Sequence, residues 1–171
     1  MAVRPIVIYG SPVLREVSEP IGDIDQNVKN LVADMIATLK DAHGLGLAAP
    51  QIGVSKRVFI LDLSSVELTE SVRVFINPEI IDKSGKTLME EGCLSFPGLY
   101  EKIVRAENVT VRATDLDGNE FTLEASGMLA RAILHEYDHL EGVLFIDHFS
   151  TFSRALHKGK LRKLKKMAAA S

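Results

Sequence analysis

The run His135-Glu136-Tyr137-Asp138-His139, set in an amphipathic stretch from about Ser126 to Gly142, restricts this chain more than any other feature. Apolar residues at Met128, Leu129, Ala132, Ile133 and Leu140 recur at helical spacing, so a helix with one buried stripe is expected, N-capped by Ser126 and ended by Gly142. Four residues apart, His135 and His139 share one helical face and can grip a single divalent ion. Glu136 adjoins the first of them, placed to move a proton to or from a bound water. The pattern alone also fits two solvated histidines on a surface helix, so a third ligand is needed.

Downstream, the extended pattern His-Glu-x-x-His-x-x-Gly-x-x-His fails. Gly142 falls on its glycine, but Phe145 stands where the last histidine would be. No glutamate follows Glu141, which removes a ligand from a later helix, and Asp147, His148 and His157 lie in no suitable loop-and-helix frame. Upstream, the sole cysteine sits in Glu90-Glu91-Gly92-Cys93-Leu94-Ser95-Phe96-Pro97-Gly98, just after an expected strand. A thiolate suits iron or zinc, although a lone cysteine is also commonly a small buried hydrophobe.

With 171 residues, 46% of them hydrophobic, the chain is expected to bury one sizeable core as a single domain, 1–171. Its longest apolar runs, such as Ile6 to Tyr9 and Val143 to Ile146, are too short for a membrane span or a signal-peptide core. The start, Met1-Ala2-Val3-Arg4-Pro5, lacks the character of a transit peptide. A lone cysteine excludes an internal disulfide and fits a reducing, cytoplasmic setting. The net charge of -3 joins a body of -10 to a tail of +7 that begins at Arg154. That tail fits either a polyanionic partner such as RNA or a solvated helix end complementing its own dipole.

Along the chain, Ile6–Tyr9 reads as a short strand before an irregular arm. A helix N-capped by Asp25 follows, with its stripe at Val28, Leu31, Val32, Met35, Ile36 and Leu39 and its end at Gly44. Gly44-Leu45-Gly46-Leu47-Ala48-Ala49-Pro50-Gln51 is not a dinucleotide fingerprint, because a helix precedes it and Pro50 with Gly53 follows. Its glycines instead suit a close backbone approach, and Gln51 offers amide protons to a site. Strands are expected at Arg57–Leu63 and Val72–Ile76, with Asn77-Pro78 as a strand end. A hairpin is expected around Ser84-Gly85, a long strand from Lys102 to Thr114, and a second hairpin at Asp117-Gly118. Grouped strands between helices predict an α+β fold: antiparallel β-sheets packed around a central metal-binding helix, with a basic C-terminal helix at about 150–167 using Phe152, Leu156, Leu161 and Leu164 against the body.

Three separated segments, Gly44 to Gln51, Glu91-Gly92-Cys93-Leu94-Ser95 and His135 to His139, together resemble the three signature motifs of peptide deformylases, and their compact spacing resembles the bacterial type 1 branch. The resemblance extends from the N-terminal arm through Ile146. It implies removal of the N-formyl group from the initiator methionine of newly synthesised polypeptides, with release of formate.

Carried onto this chain, the resemblance implies that Cys93, His135 and His139 bind one divalent metal. Fe(II) is the family's usual ion, and zinc, nickel and cobalt can substitute. Inactivation by oxygen or peroxide is then expected. Glu136 is implied as proton carrier, with the Leu94 N–H and the Gln51 amide meeting the formyl oxygen. Gly46 is expected beside the substrate backbone, and Leu45, Met89, Met128, Ala132 and the aliphatic part of Arg131 around the methionine side chain. Glu91 and Asp138 either orient the histidines or pair with Arg105, or are ordinary surface carboxylates. Tyr100 stands where some relatives carry an arginine near the substrate. His43, His148 and His157 have no role in the matched motifs and are expected to be structural or exposed. The expected partners are N-formyl-methionyl nascent peptides and, through the basic tail, the ribosome, with no DNA and no membrane. Another metal-dependent amidase or peptidase, and a structural metal site on an RNA-binding module, are the competing readings; Glu136 argues against the second.

Overall fold

The computed structural model describes residues 1–64 and 72–170. Helix α1 (Gln26–Ala42) starts where the Asp25 side chain accepts from the Val28 N–H at 3.0 Å. It ends on a left-handed residue, but that residue is His43 (φ 55°) and not Gly44 as the sequence suggested. The Gly44 N–H still reaches back to the Leu39 carbonyl, and a Cβ there would crowd the tips of the Leu94 and Leu39 side chains at 2.8 and 2.9 Å.

Strands β1 (Gly46–Ala48), β2 (Val58–Asp62), β3 (Val72–Ser84), β6 (Asn108–Thr114) and β7 (Glu120–Ser126) form an antiparallel sheet in the order β1-β2-β3-β6-β7. β4 (Thr87–Cys93) and β5 (Phe96–Arg105) form a separate antiparallel pair. β2 is apolar along nearly its whole length because both of its faces are covered. Phe59 and Leu61 join the core beneath helix α2 (Gly127–Leu140), with Phe75, Val111, Ala130 and Ile133. Val58 and Ile60 join Val32, Met35 and Leu39 of α1 on the other side. A third cluster gathers Tyr9, Phe96, Ile103, Phe145, Leu161 and Leu164 around β5 and the C-terminal helices. Among the described residues no helix is long and apolar enough to cross a membrane.

Four expectations change. Ile6–Tyr9 is not a strand; it lies across two elements, with the Val7 N–H on the Gln51 carbonyl and the Tyr9 N–H on the Ser95 carbonyl. Ser84-Gly85 turns the chain, yet β3 and β4 do not pair. β3 is drawn to β6, whose Val109, Val111 and Ala113 complete the core under α2, while β4 crosses to the other sheet. For the same reason the expected strand Lys102–Thr114 is two strands in two sheets, divided at Ala106-Glu107. Asn77-Pro78 lies within β3 as a bulge: Asn77 takes φ 49°, and its side chain exchanges two hydrogen bonds with the Ile21 backbone, imitating a strand partner.

The C-terminal segment is two helices, α3 (Thr151–Leu156), capped by Ser150, and α4 (Lys158–Ala169). Leu161 and Leu164 are buried as expected, whereas Phe152 and Leu156 are 76% and 65% exposed. The break at His157 turns the α3 stripe away from the body.

Candidate active site

Helix α2 is buried on most of its surface, polar residues included: Arg131, His135, Glu136 and His139 lie among Ala130, Ile133 and Leu140. The two imidazoles share one face, with ring centroids 5.2 Å apart. Cys93 ends β4, where the register with β5 jumps from the pair Gly92–Tyr100 to Cys93–Phe96. This irregularity carries the sulfur over α2, and Cys93 Sγ lies 3.4 Å from His139 Nε2. One ligand atom from each of Cys93, His135 and His139 lies within 4.8 Å of the others. Tetrahedral bonds of about 2.1 Å to nitrogen and about 2.3 Å to sulfur hold such atoms roughly 3.5 Å apart, so the donor set fits a single metal ion.

The two imidazoles differ in protonation. Burial and the neighbouring His135 hold His139 well below the ordinary histidine value, leaving a neutral ligand. His135 turns Nδ1 to Glu91 Oε1 at 2.8 Å; an ionised carboxylate only accepts, so Nδ1 carries a proton. Burial opposes charge on His135, but its contacts with Cys93 and Glu91 outweigh burial and raise it well above the ordinary value, so a metal at Nε2 would displace a proton. Burial disfavours charge on Glu91, but hydrogen bonds from His135 and Arg105 outweigh it and hold the group at about 2. Arg105 also donates to Asp138 Oδ2 at 2.8 Å, and the same oxygen accepts from His148 Nε2.

Glu136 behaves differently. Burial, with the charges of Glu91 and Asp138 partly offset by His135 and Arg105, raises it to about 7. Its Oε1 is buried with no hydrogen-bond partner. A Cβ on Gly46 would come within 2.7 Å of its Oε2 and 3.0 Å of its carboxyl carbon, so glycine lets β1 pass close to the carboxylate. A buried carboxyl poised near neutrality, with one oxygen uncommitted, can accept and return a proton.

Gln51 is fixed from both ends: Oε1 accepts from the Ala48 N–H at 3.0 Å, and Nε2 donates to Ser95 Oγ at 3.2 Å. That leaves one amide proton for the side facing Cys93, whose sulfur is 3.6 Å from Nε2. A cavity of about 500 Å³ opens beside these groups.

The polypeptide deformylase family model matches residues 3–155. The chain belongs to the polypeptide deformylase family. A peptide deformylase of Acidobacterium capsulatum is 48% identical over 97% of this chain and 98% of its own length. Peptide deformylase 1 of Clostridium perfringens is 50% identical over 86% of this chain and 99% of its own. Among solved structures, a peptide deformylase from Legionella pneumophila superimposes with a TM-score of 0.89 at 41% identity, covering 99% of both chains. One from Plasmodium falciparum gives 0.91 at 36% identity over 97% of this chain and 98% of its own. Deformylases are metal-dependent hydrolases that take the N-formyl group off the initiator methionine of new polypeptides, and this chain is one of them.

In this deformylase the residues singled out from the sequence come together. Leu45, Gly46, Gln51, Met89, Glu91, Cys93, Leu94, Met128, Arg131, Ala132, His135 and Glu136 line the cavity. Arg105 stands behind it, donating to Glu91 and to Asp138. Arg131, at the cavity wall, donates through its guanidinium to Glu91 and to two backbone carbonyls. The downstream ligand candidates are engaged elsewhere: Asp147 with Arg15, His148 with Asp138, His157 with Glu101. Two participants carry no signal of their own in the sequence. Ser95 holds Gln51, and only its place beside Leu94 in the motif points to it; His43, expected to be structural or exposed, lines the cavity. Tyr100 lies across Gly92, where a Cβ would meet its ring at 2.5 Å.

Proposed function

We propose that Cys93, His135 and His139 hold one Fe(II) ion and that Glu136 carries the proton in removal of the formyl group from formyl-methionyl peptides. The donor set, one thiolate and two imidazoles, suits iron or zinc. When bound, such an ion supplies Lewis acidity that lowers the pKa of water from about 15.7 towards about 7. Glu136 takes the proton from the attacking water. The amide proton of Gln51 not used by Ser95, together with the Leu94 N–H, donates to the formyl oxygen as negative charge grows there. Glu136 then delivers its proton to the departing amine nitrogen, leaving formate and a free N-terminus. Leu45, Met89, Met128 and Ala132 receive the methionine side chain, and Gly46 lies beside the substrate backbone. Tyr100 at the cavity wall shapes preference for the residues that follow.

The observation that carries this reading is Glu136, a buried carboxyl with no hydrogen-bond partner among the described residues, next to three clustered ligand atoms. A structural metal site has no use for such a group. The test compares formate release from a formyl-Met peptide with internal cleavage of the unformylated peptide. Formate release alone is expected; internal cleavage would transfer the same site to a peptidase.

The basic face of α4 supports a second element of the proposal, contact with the ribosome where nascent chains emerge, in a cytoplasmic setting. Lys163, Lys165 and Lys166 are exposed while Leu161 and Leu164 anchor the helix. Neutralising Lys163 and Lys166 is expected to weaken ribosome binding and flatten its salt dependence; unchanged affinity would remove this element.

A further inference from the structure

Arg131 lies four residues before His135, on the same face of α2, and is 4% exposed. A buried arginine is costly unless its charge and its donors are met. Here the charge and both terminal nitrogens are met by the element that brings the cysteine, and Nε has no partner among the described residues. Arg131 Nη1 donates to Glu91 Oε2 at 2.6 Å and to the Ile103 carbonyl of β5 at 3.1 Å, and Nη2 donates to the Thr87 carbonyl of β4 at 2.8 Å. One side chain thus reaches both strands of the small sheet and the carboxylate that orients His135.

The metal ligands come from two parts of the fold, the sulfur from the β4–β5 pair and the imidazoles from α2, and nothing covalent near the site fixes their separation. Glu91 Oε1 takes His135 Nδ1 and Arg105 Nη2, while Oε2 takes Arg105 Nε and Arg131 Nη1. Without Arg131, Oε2 would keep one donor, and the Thr87 and Ile103 carbonyls would lose the contact that holds their strands against the helix.

We propose that Arg131 is a positioning residue for the metal centre, fixing the cysteine-bearing strand pair against the histidine-bearing helix, and is not chiefly a wall of the methionine pocket. The proposal rests on the ligand assignment above. Metal content of the parent chain tests that assignment separately: a parent that binds no metal refutes the assignment and not the role of Arg131.

The experiment uses the full chain loaded with Zn²⁺, with Arg131→Met and Arg131→Lys compared against Met128→Ala. Zinc release to a chelator, kcat and KM for a formyl-Met peptide are measured. Residues that orient ligands typically change metal affinity by about 10- to 100-fold. Arg131→Met is expected to release zinc faster by a factor in that range and to lose kcat, with KM little changed. Arg131→Lys keeps a charge but can reach fewer of the three acceptors, so it falls between Met and parent. Met128→Ala is expected to show the opposite split, a raised KM with zinc retained. Should Arg131→Met fold only under saturating Zn²⁺, the ion is supplying the organisation that the arginine supplies, which supports the proposal. Zinc release at the parent rate in Arg131→Lys, or in a folded Arg131→Met with only KM raised, would overturn it.

Discussion

Helices α2 and α4 both carry many polar side chains, and they treat them in opposite ways. α4 buries Leu161 and Leu164 and leaves its cations outside; α2 takes an arginine, two histidines and a glutamate into the interior. Burial of that kind opposes folding unless every group finds a partner. On α2 three of the four keep one atom without a partner, and these exceptions are instructive. Glu136 Oε1, His139 Nδ1 and Arg131 Nε are three of the four buried side-chain atoms without a partner among the described residues. The difference teaches that α4 is a surface helix whose charge stays in solvent, while α2 accepts a loss of stability that places unpartnered groups beside a cluster of potential metal ligands.

If that contrast is right, changes on α2 and its partners act on chemistry and metal, and changes on the outer face of the C-terminal helices act on neither. The largest effect is expected at Glu136. Positioned acid–base groups contribute about 100- to 10,000-fold, so Glu136→Ala is expected to lose turnover by at least that range while keeping its metal and its circular dichroism. A variant that loses the metal along with turnover would make the glutamate structural and blur the contrast.

The next effect is on stability. Glu91, held at about 2 against an ordinary 4.5, favours the folded chain above pH 4.5, and that contribution disappears as the pH falls towards 2. A shift of this size corresponds to roughly 3 kcal/mol. Glu91→Gln is therefore expected to lower the melting temperature of the metal-free chain at pH 7, with the gap to the parent closing below pH 4.5. Glu136, raised to about 7, acts with the opposite sign: its contribution is complete below pH 4.5 and disappears as the pH rises through 7. Glu136→Gln should accordingly stabilise the metal-free chain above pH 7. A Glu91→Gln gap independent of pH would show that packing, not charge, holds the network.

The smallest effect is expected on α3. Phe152→Ser and Leu156→Ser are predicted to change stability by less than about 0.5 kcal/mol, as surface substitutions do. Leu161→Ala on α4 should cost about 2–5 kcal/mol. Equal costs at the three positions would mean that the exposed pair is covered in solution.

Much of this was legible in the sequence where a local period decides the outcome. The α1 and α2 stripes, the doubly buried run of β2 and the Asp117-Gly118 hairpin depend on residues a few positions apart. The assignment of strands to sheets does not: whether β3 pairs with β4 or β6 turns on which inward face completes the core under α2. Asn77 read as a strand end because its role as a bulge depends on Ile21, 56 residues away. At the site, the ligand spacing and Glu136 were readable from the motifs. Ser95 and His43 were not, since their parts depend on side-chain direction. Arg131 read as a pocket wall because its acceptors, Thr87, Glu91 and Ile103, lie in strands distant along the chain.

The central claim is that a strand-end sulfur and two helical imidazoles share one ion beside a carboxyl that is not a ligand. X-ray absorption of the iron-loaded chain, prepared without oxygen, tests it most directly. One sulfur at about 2.3 Å and two imidazole nitrogens at about 2.1 Å are expected, with the same protein shell in Glu136→Gln. An iron shell without sulfur, or one that loses a ligand when Glu136 is replaced, would contradict the account.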